Sequence, residues 1–246
     1  MDGLTPGAWV MIALCAVLIG VTKCGIPGFG ILVVPLMAMV VDARSSTGLL
    51  LGILILGDLF AIGYYHRHGK IRHIVRLLPC ALVGIVAGYF VMGRVTSEQL
   101  SPMIGGIVLL MLGINFWKER RGGLEEKVPD GWWFVILMGF LAGFTTMTAN
   151  AAGPVMIIYL LAMRLDKMYF VGTSAWFFFV LNWAKVPFSA SLDLMNAETI
   201  KINLLMIPFI ALGAVIGIFA LKRIPQKAFR GVVEILTALA AVKLFF

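Results

Sequence analysis

The chain has 246 residues, of which 61% are hydrophobic and only 13% charged, and its mean hydropathy is +1.01. Soluble domains run near 45–50% apolar and about 25% charged, so this composition excludes a soluble protein and indicates an integral membrane one. The formal net charge of +8 does not mark a nucleic-acid binder, because Lys and Arg sit in short segments flanking apolar runs, where they set membrane orientation.

Ten hydrophobic segments are predicted in chain order: Ala8–Thr22, Phe29–Val41, Thr47–Tyr65, Ile74–Met92, Pro102–Trp117, Trp132–Thr146, Pro154–Leu165, Tyr169–Pro187, Ile202–Leu221 and Phe229–Phe246. They are long and do not alternate, which reads as helices and not as the strands of a β-barrel. The connecting loops are short, so residues 1–246 are expected to form a single membrane domain. The start, Met1-Asp2-Gly3-Leu4-Thr5-Pro6, has no basic region of the signal-peptide kind, and the first apolar run is expected to stay in the protein. Cys15, Cys24 and Cys80 show neither metal-ligand spacing nor a disulfide framework and read as buried thiols.

The first, second, sixth and seventh segments are short. At about 1.5 Å per residue, Phe29–Val41 reaches only about 20 Å against a hydrocarbon core of about 30 Å. Each short pair is therefore expected to dip into the bilayer and return, broken at 22–30 in one case and at 145–154 in the other. Irregular backbone at membrane depth survives only where protein buries it or water reaches it, and matched breaks in two halves point to a transporter's substrate site.

The halves overlay on each other. A shift of 124 pairs Pro35–Met39 with Tyr159–Met163, Asp42 with Asp166, Gly48 with Gly172, and Asp58 with Asn182. A shift of 129 pairs Pro79, Gly84, Gly88 and Arg94 with Pro208, Gly213, Gly217 and Arg223. An internal duplication follows: residues 1–121 as repeat 1, 122–131 as a linker, and 132–246 as repeat 2. Counting crossings puts the basic clusters at 66–73, 118–121, 164–167 and 222–230 on one side, which the positive-inside rule makes cytoplasmic. The linker is then cytoplasmic and the second repeat enters from the opposite face. The expected fold class is an all-α integral membrane protein of two inverted repeats, five segments each, every repeat opening with a broken or re-entrant hairpin.

Between such half-helices, free N–H groups and the positive dipole end of the returning helix make an anion site. Gly28, Phe29 and Gly30 open one returning helix; Ala151, Ala152 and Gly153 open the other. Gly25 belongs to the same first break, where glycines permit close approach. Lys23 would be a charged group at membrane depth, which is costly and marks function by default; the alternative is a snorkelling anchor. Thr145, Thr146, Thr148 and Asn150 offer further donors, unless the hydroxyls bond their own helix.

Asn182 and Lys185 lie one turn apart on one helical face, and Lys185 is read as a second cation for the substrate or an anchor before Pro187. Burial and a neighbouring cation pull a carboxylate's proton affinity in opposite directions, which makes Asp58 the proton-coupling candidate; the alternative is a fixed ion pair with Lys23. His66, His68 and His73 share one basic loop without carboxylate or cysteine partners, so no metal site is assigned. Trp176–Phe179 and Trp183 read as lipid-facing or packing surface, and Glu234 as the partner of Arg230.

Gly25-Ile26-Pro27-Gly28-Phe29-Gly30, followed by Pro35, resembles the glycine-rich signature of the sulfite exporter TauE/SafE family, also called the toluene-sulfonate uptake permease family. Gly172-Thr173-Ser174-Ala175, after Gly153 and a second short helix, is similar to its counterpart in the second half. The resemblance covers nearly the whole chain and implies a multi-pass plasma-membrane or inner-membrane carrier of sulfite, sulfonates or related organic anions. Pro27 and Phe29 interrupt the usual run of glycines, and Asn150-Ala151-Ala152 replaces glycines in the second half, both where the ligand is expected.

The sequence therefore reads as a secondary transporter of a small anion, working by alternating access and coupled to protons, without a cofactor and with lipid around it. An anion channel and an intramembrane enzyme are the alternatives. No HExxH, paired acidic or serine–histidine pattern favours the enzyme.

Overall fold

The computed structural model describes residues 4–28, 30–38, 40–41, 43–92 and 131–225, together with 228, 229, 231, 232 and 235. The predicted fifth segment, most of the linker and of the tenth segment, Phe29, Asp42, Arg94 and the Arg230–Glu234 pair lie outside the described residues. Among the described residues every regular element is helical.

Helix α1 spans Pro6–Cys24, with the Thr5 hydroxyl accepting from the Ala8 N–H at its start and Pro6 in its first turn. It is 19 residues long and apolar enough to cross a membrane. The expectation of a short first segment is thus corrected. The apolar run ends at Thr22, but the helix does not, because Thr5 and Pro6 start it earlier and Lys23 finds a buried partner instead of terminating it.

The sixth segment runs past its predicted end at Thr146 but stays, as expected, short of a membrane span. Helix α5, Trp132–Ala149, has 18 residues and reaches roughly 27 Å. Its polar end stays helical because Thr145 donates to the Leu141 carbonyl at 2.7 Å and Thr148 to that of Phe144 at 2.8 Å. The returning helices are short as expected: α2, Gly30–Ala38, has 9 residues and α6, Ala152–Ala162, has 11. Protein encloses α6, whose residues from Val155 to Leu161 are all buried.

Helices α3 (Ala43–Tyr65), α4 (Ile71–Met92) and α7 (Lys167–Ser191) are continuous. The ninth segment is two helices, α8 (Ala197–Leu205) and α9 (Ile207–Arg223), bent by 48°. Pro208 explains the break: it has no N–H to donate, and its ring crowds the carbonyl of Leu204. By length and composition three described helices can cross a membrane, or four if α8 and α9 count as one span.

Among the described residues the most extensive packing joins α4 to α5, α1 to α9, and α3 to α7. Small residues bring the first two pairs together. A Cβ on Gly213 would strike the backbone of Val17, and one on Gly84 the backbone of Phe140. Both pairs run in the same direction, since Gly217 meets Val21 further along α1 and Gly88 meets Met147 further along α5. Helices α3 and α7 run in opposite directions, Gly48 meeting Leu194 at one end and Gly69 meeting Trp176 at the other.

One end of the bundle gathers the described basic segments. Lys70 lies over the Tyr169 ring and Lys222 over that of Tyr64, while Lys167 donates to the carbonyls of Leu221 and Ile224. Helix α1 runs toward this end, where the Tyr65 hydroxyl donates to the Cys24 carbonyl at 2.8 Å. Helix α5 starts there, Trp132 lying beneath Arg76, and runs away to Asn150, whose amide reaches the Thr47 carbonyl near the start of α3.

Candidate functional site

Asp58 and Asn182 face each other halfway along the α3–α7 contact. Asp58 stands ten residues from Gly48 and eleven from Gly69, the two ends of that contact, or about 15 Å from each at helical rise. The Asn182 amide donates to Asp58 Oδ2 at 2.7 Å, and Lys23 Nζ lies 2.6 Å from Asp58 Oδ1. Because a carboxylate only accepts, this contact fixes which way the Asn182 amide points. Asp58 is fully buried and the Lys23 side chain is 9% exposed, so the pair is screened from water. The Lys23 ammonium also sits 4.4 Å from the centroid of the Phe178 ring. Lys23 and Asp58 therefore stand as an ion pair in this structure.

The second break is held by the other lysine. Asn150 adopts left-handed φ and ψ of 51° and 28° at the end of α5. The Ala151 N–H donates back to the Thr145 carbonyl and the Asn150 N–H to that of Thr146, which uses carbonyls of the last turns and stops the helix. Lys185, also buried, donates to Asn150 Oδ1 at 2.6 Å and to the Thr146 hydroxyl at 3.2 Å. Its ammonium thus meets two neutral oxygens.

Both breaks line one cavity of about 80 Å³. A single water needs roughly 10–15 Å³ on this measure, so the space suits a small polyatomic anion. From the first break come Lys23, Gly28 and Gly30, and from the second Thr146, Asn150, Ala151 and Gly153, with Asn182 and Phe178 between them. Gly28 has φ of 116°, a conformation closed to side-chain-bearing residues without strain.

Several predicted site residues lie outside the cavity lining or spend their donors elsewhere. Gly25 packs against Gly217 and is buried by that contact. Thr145 and Thr148 direct their hydroxyls to their own helix, and the Ala151 amide is used in stopping α5. Asp58 and Lys185 stand behind the cavity wall, each acting on residues that line it. No side chain caps α6, and Pro154 has no N–H, so the amides of Ala152 and Gly153 are the donors of its first turn.

The family model for Sulfite exporter TauE/SafE matches residues 12–244. The chain belongs to that family. It is a multi-pass transmembrane transporter, and membership implies a small anionic substrate. No curated protein and no solved structure gives a match. The part matched to the TauE/SafE family contains both breaks, both buried lysines and Asp58.

Phe178 is the main residue that sequence reasoning missed. The aromatic cluster around it reads as lipid-facing or packing surface, which suits Trp183 at 50% exposed and Phe177, fully buried, but gives Phe178 no place beneath Lys23. The signal was present: Ser174, Phe178 and Asn182 recur every four residues, and all three line the cavity. Among the histidines, His73 bonds the Tyr159 hydroxyl, and no group of three potential metal ligands occurs among the described residues.

Proposed function

We propose that this TauE/SafE protein is a secondary transporter that carries sulfite, an organosulfonate or a related small organic anion by alternating access. Two inverted repeats would form the carrier, with the substrate in the cavity between the two helix breaks and Asp58 carrying a coupling proton. The observation that carries this reading is the direct contact of Asp58 with Asn182, residues 124 apart and equivalent under the repeat shift. A position that touches its own copy lies on the axis relating the copies.

Other contacts support the same symmetry. Gly84 against Phe140 and Gly213 against Val17 are images of one contact, since Gly84 and Gly213 are equivalent and so, nearly, are Val17 and Phe140. The opposite directions of α1 and α5 relative to the basic end fit inversion of the repeats. A depth of about 15 Å from either end fits the middle of a hydrocarbon core about 30 Å thick. Among the described residues two lysines, Lys23 and Lys185, and one carboxylate, Asp58, stand at the cavity or behind its wall, an excess of basic groups that an anionic substrate would balance. The basic end is read as cytoplasmic and the membrane as the plasma or inner membrane.

The test is a melting-temperature screen of the purified protein against sulfite, thiosulfate, sulfonates and small carboxylates. An anion at 100 times its Kd stabilises the folded state by about 2.7 kcal/mol. Stabilisation by none of them would overturn the proposal. Trans-stimulated uptake of the best ligand in liposomes is expected, and its absence would favour a channel.

A further inference from the structure

A second cavity, of about 550 Å³, opens on the side of the bundle between α3 and α9. Its size is that of a small-molecule site, but its walls are apolar and outward-facing: Val215 is 50% exposed, and a Cβ added to Gly63 would meet no atom within 4 Å. Both helices run toward the basic end. The groove extends along α3 from Leu56 to Tyr64 and along α9 from Ile207 to Ile218, roughly 12 Å and 16 Å at helical rise. One leaflet of hydrocarbon is about 15 Å deep.

At the shallow end stands a cation. Lys222 holds its ammonium 5.2 Å from the centroid of the Tyr64 ring, and Arg223 follows it; both are exposed. We propose that this groove binds one acyl chain of an anionic phospholipid, whose headgroup meets Lys222 and Arg223. The groove has the length of one chain in one leaflet, and among its described lining residues none is charged, while Lys222 stands at the end where a headgroup would lie. A cationic rim at the mouth selects an anionic headgroup, and the apolar wall takes the tail. This inference is independent of the transport cycle and of the substrate.

Full-length protein, stripped of lipid in mild detergent, would be titrated with phosphatidylglycerol or phosphatidylcholine of identical chains and read by native mass spectrometry. Wild type is expected to retain phosphatidylglycerol preferentially. Lys222→Gln with Arg223→Gln should weaken that binding by about fivefold per cation removed and erase the headgroup preference. Gly63→Leu should fill the groove and abolish retention of both lipids, with an unchanged melting temperature in lipid-free detergent. Equal retention of the two lipids by wild type would overturn the proposal, as would full retention by Gly63→Leu. A dimer that Gly63→Leu dissociates without lipid would assign the groove to a second copy of the chain and overturn it as well.

Discussion

Breaking the Lys23–Asp58 pair one side at a time should be far more damaging than removing it whole. Lys23→Met leaves a fully buried carboxylate with the Asn182 amide as its remaining contact, and Asp58→Leu leaves an ammonium over the Phe178 ring. Stranding one member of a buried ion pair costs about 3–5 kcal/mol, whereas replacing both by apolar groups is often neutral. For a chain of this size each kcal/mol moves the melting temperature by about 2–4 °C, so either single variant should melt about 6–20 °C lower. The double variant should recover most of that loss. Thermal denaturation of the three variants in one detergent, closed as a double-mutant cycle, gives the coupling directly. Additive losses would refute the picture of a screened pair. The same preparations separate stability from function, because the double variant should fold yet bind the screened anion weakly.

Gly153→Ala should leave the melting temperature unchanged, since an added Cβ meets nothing within 4 Å, while weakening anion binding by narrowing the cavity; unaltered affinity in a titration would remove the second break from the site. Asp58→Asn should abolish proton-driven accumulation in liposomes but leave exchange intact, and an unchanged pH dependence of uptake would discard Asp58 as the proton carrier. Lys185→Met deprives Asn150 and Thr146 of a charged donor, worth about 1.5–3 kcal/mol to each charge-assisted bond, so anion affinity should fall at least about tenfold. Wild-type affinity in that variant would confine Lys185 to holding the fold.

Composition made the membrane class legible, while the pairing of helices was not assigned from the sequence. Gly84 and Gly213, matched by the 129-residue shift, both stand where one helix comes close to the backbone of another. The breaks were legible because proline and glycine interrupt apolar runs. Helix length was not, because hydropathy ends a segment at the first polar residue, while Thr145 and Thr148 can turn their hydroxyls inward and let the helix go on. The kink at Met206 hides for the opposite reason: the run stays apolar across Pro208. Lys23 could be seen as a charge at membrane depth and Asp58, 35 residues on, as its partner in one reading, but no local pattern brings Asn182 and Phe178 to the same pair.

Each half lends its opening helix to the other. Helix α1 lies along α9, and α5 along α4, so among the described residues the first helix of each half makes its most extensive contact with the other half. The two halves are interlocked like clasped hands. A chain cut between them should yield fragments that are insoluble when made singly and that assemble only when made together.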